Sequence, residues 1–219
     1  VAGAADLAGV EPLLAKGFEQ ATGRRVRFTL GASGMLARQI EQGAPYDVFL
    51  SANERFVEEL VKAGRLEAGS VRVYGLGRLG LWSKDGAIRD VEQLRSARVL
   101  HVALANPVHA PYGVAAKEFL ERRGLWKAVA GKVVYGENVR QALQFAESGN
   151  AEAAITAWSL VFDRGGVLLA DSGHAPIRQA AGVVTGSPHA AAARRFLEFL
   201  GSAEGRRILE THGFAVTVQ

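Results

Sequence analysis

The chain of 219 residues contains no cysteine. That absence excludes disulfides, thiolate metal sites and cysteine nucleophiles, and it is compatible with export without requiring it. No apolar run approaches the ~20 residues that a membrane-spanning helix needs. Low-complexity tracts, internal repeats and Pro/Gly/Ser-rich linkers are missing as well. There is no His-x₃-His helix pair and no carboxylate cluster with loop spacing, so direct coordination of a metal by the protein is not expected. Paired catalytic carboxylates are not evident, and the five histidines (His101, His109, His174, His189 and His212) are scattered. The 26 Lys and Arg exceed the 22 Asp and Glu by a formal charge of +4. That excess is spread along the chain, unlike the clustered basic stripe of a nucleic-acid-binding surface.

What is present is an ordinary globular composition, 48% hydrophobic, in a chain long enough for one large domain or two small lobes. Strand-like and helix-like segments alternate almost throughout, which predicts an α/β fold with mainly parallel strands. Strands are expected at 1–5, 25–30, 47–51, 99–104, 132–135, 153–157 and 182–186, with a strand pair across 71–83. Helices are expected near 8–21, 34–42, 53–63, 113–123, 139–148, 188–200 and 203–211, with a short one ending before Gly165-Gly166. Gly23, Gly43, Gly64, Gly124 and Gly149 fall where helices should stop, and Asn53 and Asn138 fall where N-caps are wanted. Ala192, Phe196, Leu197, Phe199 and Leu200 form an apolar stripe at helical spacing and read as core.

Gly75-Leu76-Gly77-Arg78-Leu79-Gly80 matches the dinucleotide pattern G-x-G-x-x-G letter for letter. The residues after it, Leu81-Trp82-Ser83-Lys84, extend a strand instead of opening the helix that would receive a pyrophosphate. The run therefore reads as a glycine-rich strand crossing, and no cofactor is expected.

The segment 31–52 is the most informative. The apolar strand ending at Leu30 runs into Gly31-Ala32-Ser33-Gly34, then a helix, then a second strand. Such a turn aims a serine Oγ and helix N–H groups at one point, which can hold a small anion; the plainer reading of Ser33 is a helix N-cap. Ser33 also falls one position short of the G-x-S-x-G elbow of hydrolases. Asp6, Tyr112, Asn138 with Val139, and Thr156 mark further strand-to-helix junctions, and Asp6 and Asn138 too read first as N-caps. In parallel α/β sheets these junctions gather at the carboxyl edge of the strands, where helix N-termini stabilise an anion without lysine or arginine.

Gly31-Ala32-Ser33-Gly34-Met35-Leu36-Ala37-Arg38-Gln39-Ile40-Glu41-Gln42-Gly43-Ala44-Pro45-Tyr46-Asp47-Val48-Phe49-Leu50-Ser51-Ala52 resembles the matching block of periplasmic molybdate-binding proteins. Ala4-Ala5-Asp6-Leu7, Asn106 to Glu118, Glu137 to Leu143 and Gly213-Phe214 resemble further family segments in the same order. The resemblance implies a two-lobed periplasmic-binding-protein fold of type II, each lobe a mainly parallel sheet flanked by helices, closing around the ligand in a cleft between lobes. The implied boundaries are 1–77 with 182–219 for one lobe and 78–181 for the other, with strand crossings near 77–82 and 180–185.

The resemblance further implies a non-enzymatic, monomeric, periplasmic component of an ABC importer whose leader has been removed. Its partners would be a tetrahedral oxyanion, molybdate or tungstate first, and a membrane permease. Carried over by position, the ligand would meet Asp6 and Ser33, the backbone N–H groups of Tyr112 and Val139, and Thr156, whose hydroxyl could donate. Three positions depart from the family: Asp6 stands where it has serine, Thr156 where it has tyrosine, and Tyr112 where it has a small residue. An ionised carboxylate accepts but cannot donate. Asp6 therefore opens a second reading, a protonated oxyanion or small organic acid. From another class, a hydrolase using Ser33 is the rival. Porphobilinogen deaminase shares a two-lobed fold of this kind, but it needs a cysteine for its cofactor.

Overall fold

The computed structural model describes residues 1–216. The last three residues of the expected first lobe, 217–219, lie outside that range. In chain order the elements begin with β1 (Ala2–Ala4), α1 (Glu11–Thr22), β2 (Thr29–Gly31), α2 (Ser33–Glu41), β3 (Val48–Ser51) and α3 (Glu54–Lys62). Next come β4 (Arg72–Gly77), β5 (Leu79–Trp82), β6 (Val102–Ala105), α4 (Pro111–Arg122) and α5 (Trp126–Val129). Then follow β7 (Val133–Gly136), α6 (Val139–Ser148), β8 (Ala153–Ala157) and β9 (Val167–Leu168). The chain ends on β10 (Ile177–Val183), α7 (Ala190–Leu200) and α8 (Ala203–Thr211).

The chain divides into two compact units. One comprises Val1–Leu76 and the residues from Arg178 onward; the other is Gly77–Ile177. Each has its own five-stranded sheet, β2-β1-β3-β10-β4 in the first and β7-β6-β8-β5-β9 in the second. In the first, β1 is parallel to β2 and β3, and β10 is antiparallel to β3. In the second, β6 is parallel to β7 and β8, while β5 runs antiparallel to β8 and β9. The protein is therefore a two-lobed α/β fold with mixed sheets, a parallel trio in each carrying the strand-to-helix junctions.

Several boundaries correct the expectations. Both strands expected across 71–83 are present, as β4 and β5, but they belong to different sheets and do not pair; the Gly75–Gly80 run carries the chain from one unit to the other. Gly80 is required there by packing: an added Cβ would lie 2.7 Å from Val161 Cγ2. The strand expected at 25–30 shrinks to β2, although Val26 and Phe28 still pack on the core. The strand placed at 182–186 lies earlier, at β10, and α5 and β9 were not anticipated.

Hydrophobic burial explains the layers. In the first unit Leu7, Leu14, Phe18, Phe196, Phe199 and Leu209 form one core, with Phe18 edge-on to Phe196 at 5.3 Å between ring centroids. Of the stripe on α7, Phe196, Leu197, Phe199 and Leu200 are buried and Ala192 is only partly so, Ala193 taking the inner position. Leu36, Ile40, Phe49, Val57 and Leu60 pack the α2–α3 side of the same sheet. In the second unit the central strands are apolar on both faces, with Leu79, Leu81, Val102, Leu104 and Ile155 all buried, as a sheet covered by helices requires.

Candidate functional site

In the first unit the carboxyl ends of β1 and β2 lie in register, Ala4 opposite Gly31. Asp6 and Ser33 each stand two residues beyond that pair, so the sheet brings them to one edge. Neither is a helix cap. The N-cap of α2 is Ala32, and Ser33 is the first helical residue. Its Oγ accepts the Ala52 N–H at 3.0 Å, tying the start of α2 to the end of β3. The hydroxyl proton of Ser33 goes to no protein acceptor among the described residues, so the bond from Ala52 turns Ser33 into a donor poised for something else.

Asp6 lies within a one-turn 3₁₀ helix, Ala5–Leu7, that follows β1 and whose N-cap position is Ala4. It is 1% exposed. Its Oδ2 accepts from Gln179 Nε2 at 2.6 Å, and Gln179 Oε1 accepts from the Tyr74 hydroxyl at 2.8 Å. Gln179 comes from β10 and Tyr74 from β4, so two strands and the turn after β1 supply this buried chain of bonds. Burial, and then the negative charge of Asp6, push the Tyr74 phenol well above its ordinary value of 10.0. Sequence reasoning passed over both residues. The one available signal was a glutamine at the head of the apolar run Ala180-Ala181-Gly182-Val183, since a polar side chain buried with it must have a partner.

In the second unit the junctions after β6 and β7 and the end of β8 share an edge, because β6 pairs with both neighbours: Ala105 with Gly136, and Leu104 with Ile155. Tyr112 is the second residue of α4, in the first turn, whose N–H groups point along the axis away from the helix. Val139 is the first residue of α6. Asn138 caps this helix as expected, its Oδ1 accepting from Arg140 N at 2.9 Å and Gln141 N at 3.1 Å. Those two bonds leave the Val139 N–H with no protein acceptor among the described residues.

Thr156, on β8, is fully buried and donates its hydroxyl proton to the Val139 carbonyl at 2.9 Å. That proton is engaged within the protein. Close contacts seat both helices on the strand ends. A Cβ added at Gly113 would lie 2.2 Å from Ala105 O, and one at Gly136 would lie 2.6 Å from Ala142 N. The sequence-derived residues thus fall into two sets, Asp6 with Ser33 in one unit and Tyr112, Val139 and Thr156 in the other.

Among the described residues no group of three or more His, Asp or Glu could hold a metal ion. No helix among them is long and apolar enough to cross a membrane. The first edge offers the Ser33 hydroxyl and the start of α2, the second the starts of α4 and α6; these are neutral donors, the chemistry of anion binding.

A parallel trio of strands bearing such donors in each of two α/β units defines a solute-binding fold, and the sequence agrees. The family model for bacterial extracellular solute-binding proteins matches residues 1–215, and the chain belongs to that family. It is a family of binding proteins, not enzymes, so the hydrolase reading of Ser33 falls away. The chain is 36% identical over 212 residues to the molybdate-binding protein ModA of Azotobacter vinelandii, covering 93% of this chain and 84% of that protein. It is 35% identical over 201 residues to ModA of Rhodobacter capsulatus, covering 90% and 80%. The solved structure of the Azotobacter vinelandii periplasmic molybdate-binding protein superposes with a TM-score of 0.94 at 28% identity, covering 99% of this chain and 98% of that one.

Proposed function

We propose that this protein is the periplasmic solute-binding component of an ABC importer and that its ligand is a tetrahedral oxyanion, molybdate or tungstate first. It acts as a monomer that delivers the anion to a membrane permease. Ser33 Oγ and the N–H groups of Tyr112 and Val139 donate to the anion, and Asp6 and Thr156 shape the edges that carry them. The observation that carries this reading is the pair of donors with no protein acceptor among the described residues, Ser33 Oγ–H and Val139 N–H, each at the carboxyl edge of a parallel trio. The relatives named molybdate-binding proteins support the choice of anion.

Asp6 supports a narrower alternative within the same class. A buried carboxylate beside Ser33 would favour an anion that still carries a proton, because such a ligand donates to it in a charge-assisted hydrogen bond.

Calorimetry and thermal-shift titration against molybdate, tungstate, sulfate, phosphate, arsenate and vanadate test both. A ligand bound only by the native state raises apparent stability by RT ln(1 + [L]/Kd), about 2.7 kcal/mol at a hundredfold excess over Kd. Molybdate and tungstate should give the largest shifts. If phosphate or arsenate exceeds them, the narrower reading holds; if no oxyanion shifts the transition, the proposal fails.

A further inference from the structure

Resting on the oxyanion reading, we propose that Thr156 is a positioning residue which fixes the Val139 donor from behind and does not itself touch the anion. A threonine hydroxyl has one proton, and here it is given to the Val139 carbonyl at 2.9 Å with Thr156 fully buried. A carbonyl has two lone pairs, so that of Val139 serves the α6 ladder and Thr156 together. Val139 is the residue at which α6 leaves the sheet edge, and its own N–H is the one in that turn with no protein acceptor among the described residues.

Three constraints meet on this first turn. Asn138 caps it from its own chain. Gly136, on β7, lets the helix approach so closely that any side chain would collide with the Ala142 amide. Thr156 reaches it from β8, a strand separated from β7 by β6. The last tie crosses the sheet, so it fixes α6 against the strand bundle and not only against the adjoining turn. A donor already held in place loses less conformational freedom when the ligand arrives, which is how preorganisation raises affinity.

The test compares Thr156→Val, which keeps the shape and deletes the hydroxyl, with Thr156→Ser, which keeps the hydroxyl. Two quantities are read: sodium molybdate affinity by calorimetry, and the exchange rate of the Val139 amide proton in the ligand-free protein. Thr156→Val should weaken molybdate by roughly three- to tenfold, the scale of one lost neutral hydrogen bond, and should speed Val139 exchange. Thr156→Ser should restore both.

Loss of affinity with Val139 exchange unchanged would mean that the hydroxyl serves the ligand directly, and the proposal falls. It falls equally if Thr156→Val changes neither quantity. If the parent protein takes up no molybdate, the oxyanion reading fails by itself, and Val139 exchange still decides whether Thr156 holds the turn. Should Thr156→Val not fold, Thr156→Ala removes the same hydroxyl without filling its space and carries the same two readouts.

Discussion

Ser33 and Asp6 occupy equivalent places beyond facing strand ends, yet their side chains do opposite things. Ser33 accepts from Ala52 and keeps a proton to give. Asp6 accepts from Gln179 and, when ionised, has none. Ser33→Ala should therefore lose two things at once. One hydrogen bond to a charged ligand is worth about 1.5–3 kcal/mol, and the Ala52 N–H left without its acceptor lowers stability by about 1–3 kcal/mol. Calorimetry with the true ligand and a denaturant melt measure the two losses separately; unchanged affinity would show that Ser33 is not in the site.

For Asp6 the informative change is Asp6→Asn, because the amide oxygen can still accept from Gln179 while the charge is gone. Like charges a few ångströms apart repel by on the order of a few kcal/mol at an effective dielectric of ~20. The variant should bind molybdate more tightly than the parent at nearly unchanged stability. If it binds every oxyanion as the parent does, the Asp6 carboxylate is not felt at the site. The residue types and their junctions were legible in the sequence. The direction of each hydrogen bond was not, since the partners lie far along the chain: Ala52 for Ser33, Gln179 for Asp6.

At the scale of the element, local chemistry explains which features could be read in advance. Asn53 accepts from Arg55 N at 2.9 Å and Asn138 caps α6, both as their positions before helices suggested. Gly23 and Gly149 close α1 and α6 at φ of 71° and 81°, where a side chain would be strained. Helices α6 and α8 match their expected spans because caps bound them, and β8 matches its own as a short apolar run buried at every position. What failed was non-local. Periodicity in residues 71–83 does not show that β4 and β5 join different sheets, a crossing that only the family resemblance implied, and the two-residue β9 exists only through its pairing with Gly80 and Leu81.

The seating of α4 offers a test at this scale. Gly113→Ala would place a Cβ against backbone atoms, 2.2 Å from Ala105 O and 2.8 Å from Pro107 N, neither of which can swing aside. Overpacking of this kind costs about 1–3 kcal/mol and sometimes more. Gly131→Ala, which meets nothing within 4 Å, is the control and should stay within about ±0.5 kcal/mol. Denaturant midpoints compare the two; equal values would mean that α4 does not need the close approach.

For the molecule as a whole, stability in alkali should depend in part on the buried phenol of Tyr74. The first unit is assembled from two stretches of chain, and β10 of the second stretch is inserted between β3 and β4 of the first. Gln179 of β10 joins Tyr74 of β4 to Asp6 beyond β1, so the same bonds that hold Asp6 also link the two stretches. Burial foremost, and the Asp6 charge second, raise the folded pKa of Tyr74 well above 10.0. As pH climbs past about 10 the unfolded chain releases this proton while the folded chain keeps it. The folded state then binds more protons than the unfolded one, and stability falls with rising pH. The contribution is fully present below the unfolded pKa and is lost toward the folded one. Tyr74→Phe removes both the titrating group and the donor to Gln179. It should lower stability near pH 7 by about 1–3 kcal/mol, for the buried Gln179 oxygen left without that donor, and flatten the decline above pH ~10. Urea unfolding of parent and variant from pH 7 to 11 separates the two effects. Parallel curves across that range would show that Tyr74 ionises as freely when folded as when unfolded, and that the bonds from β4 through β10 to Asp6 do not govern the alkaline limit.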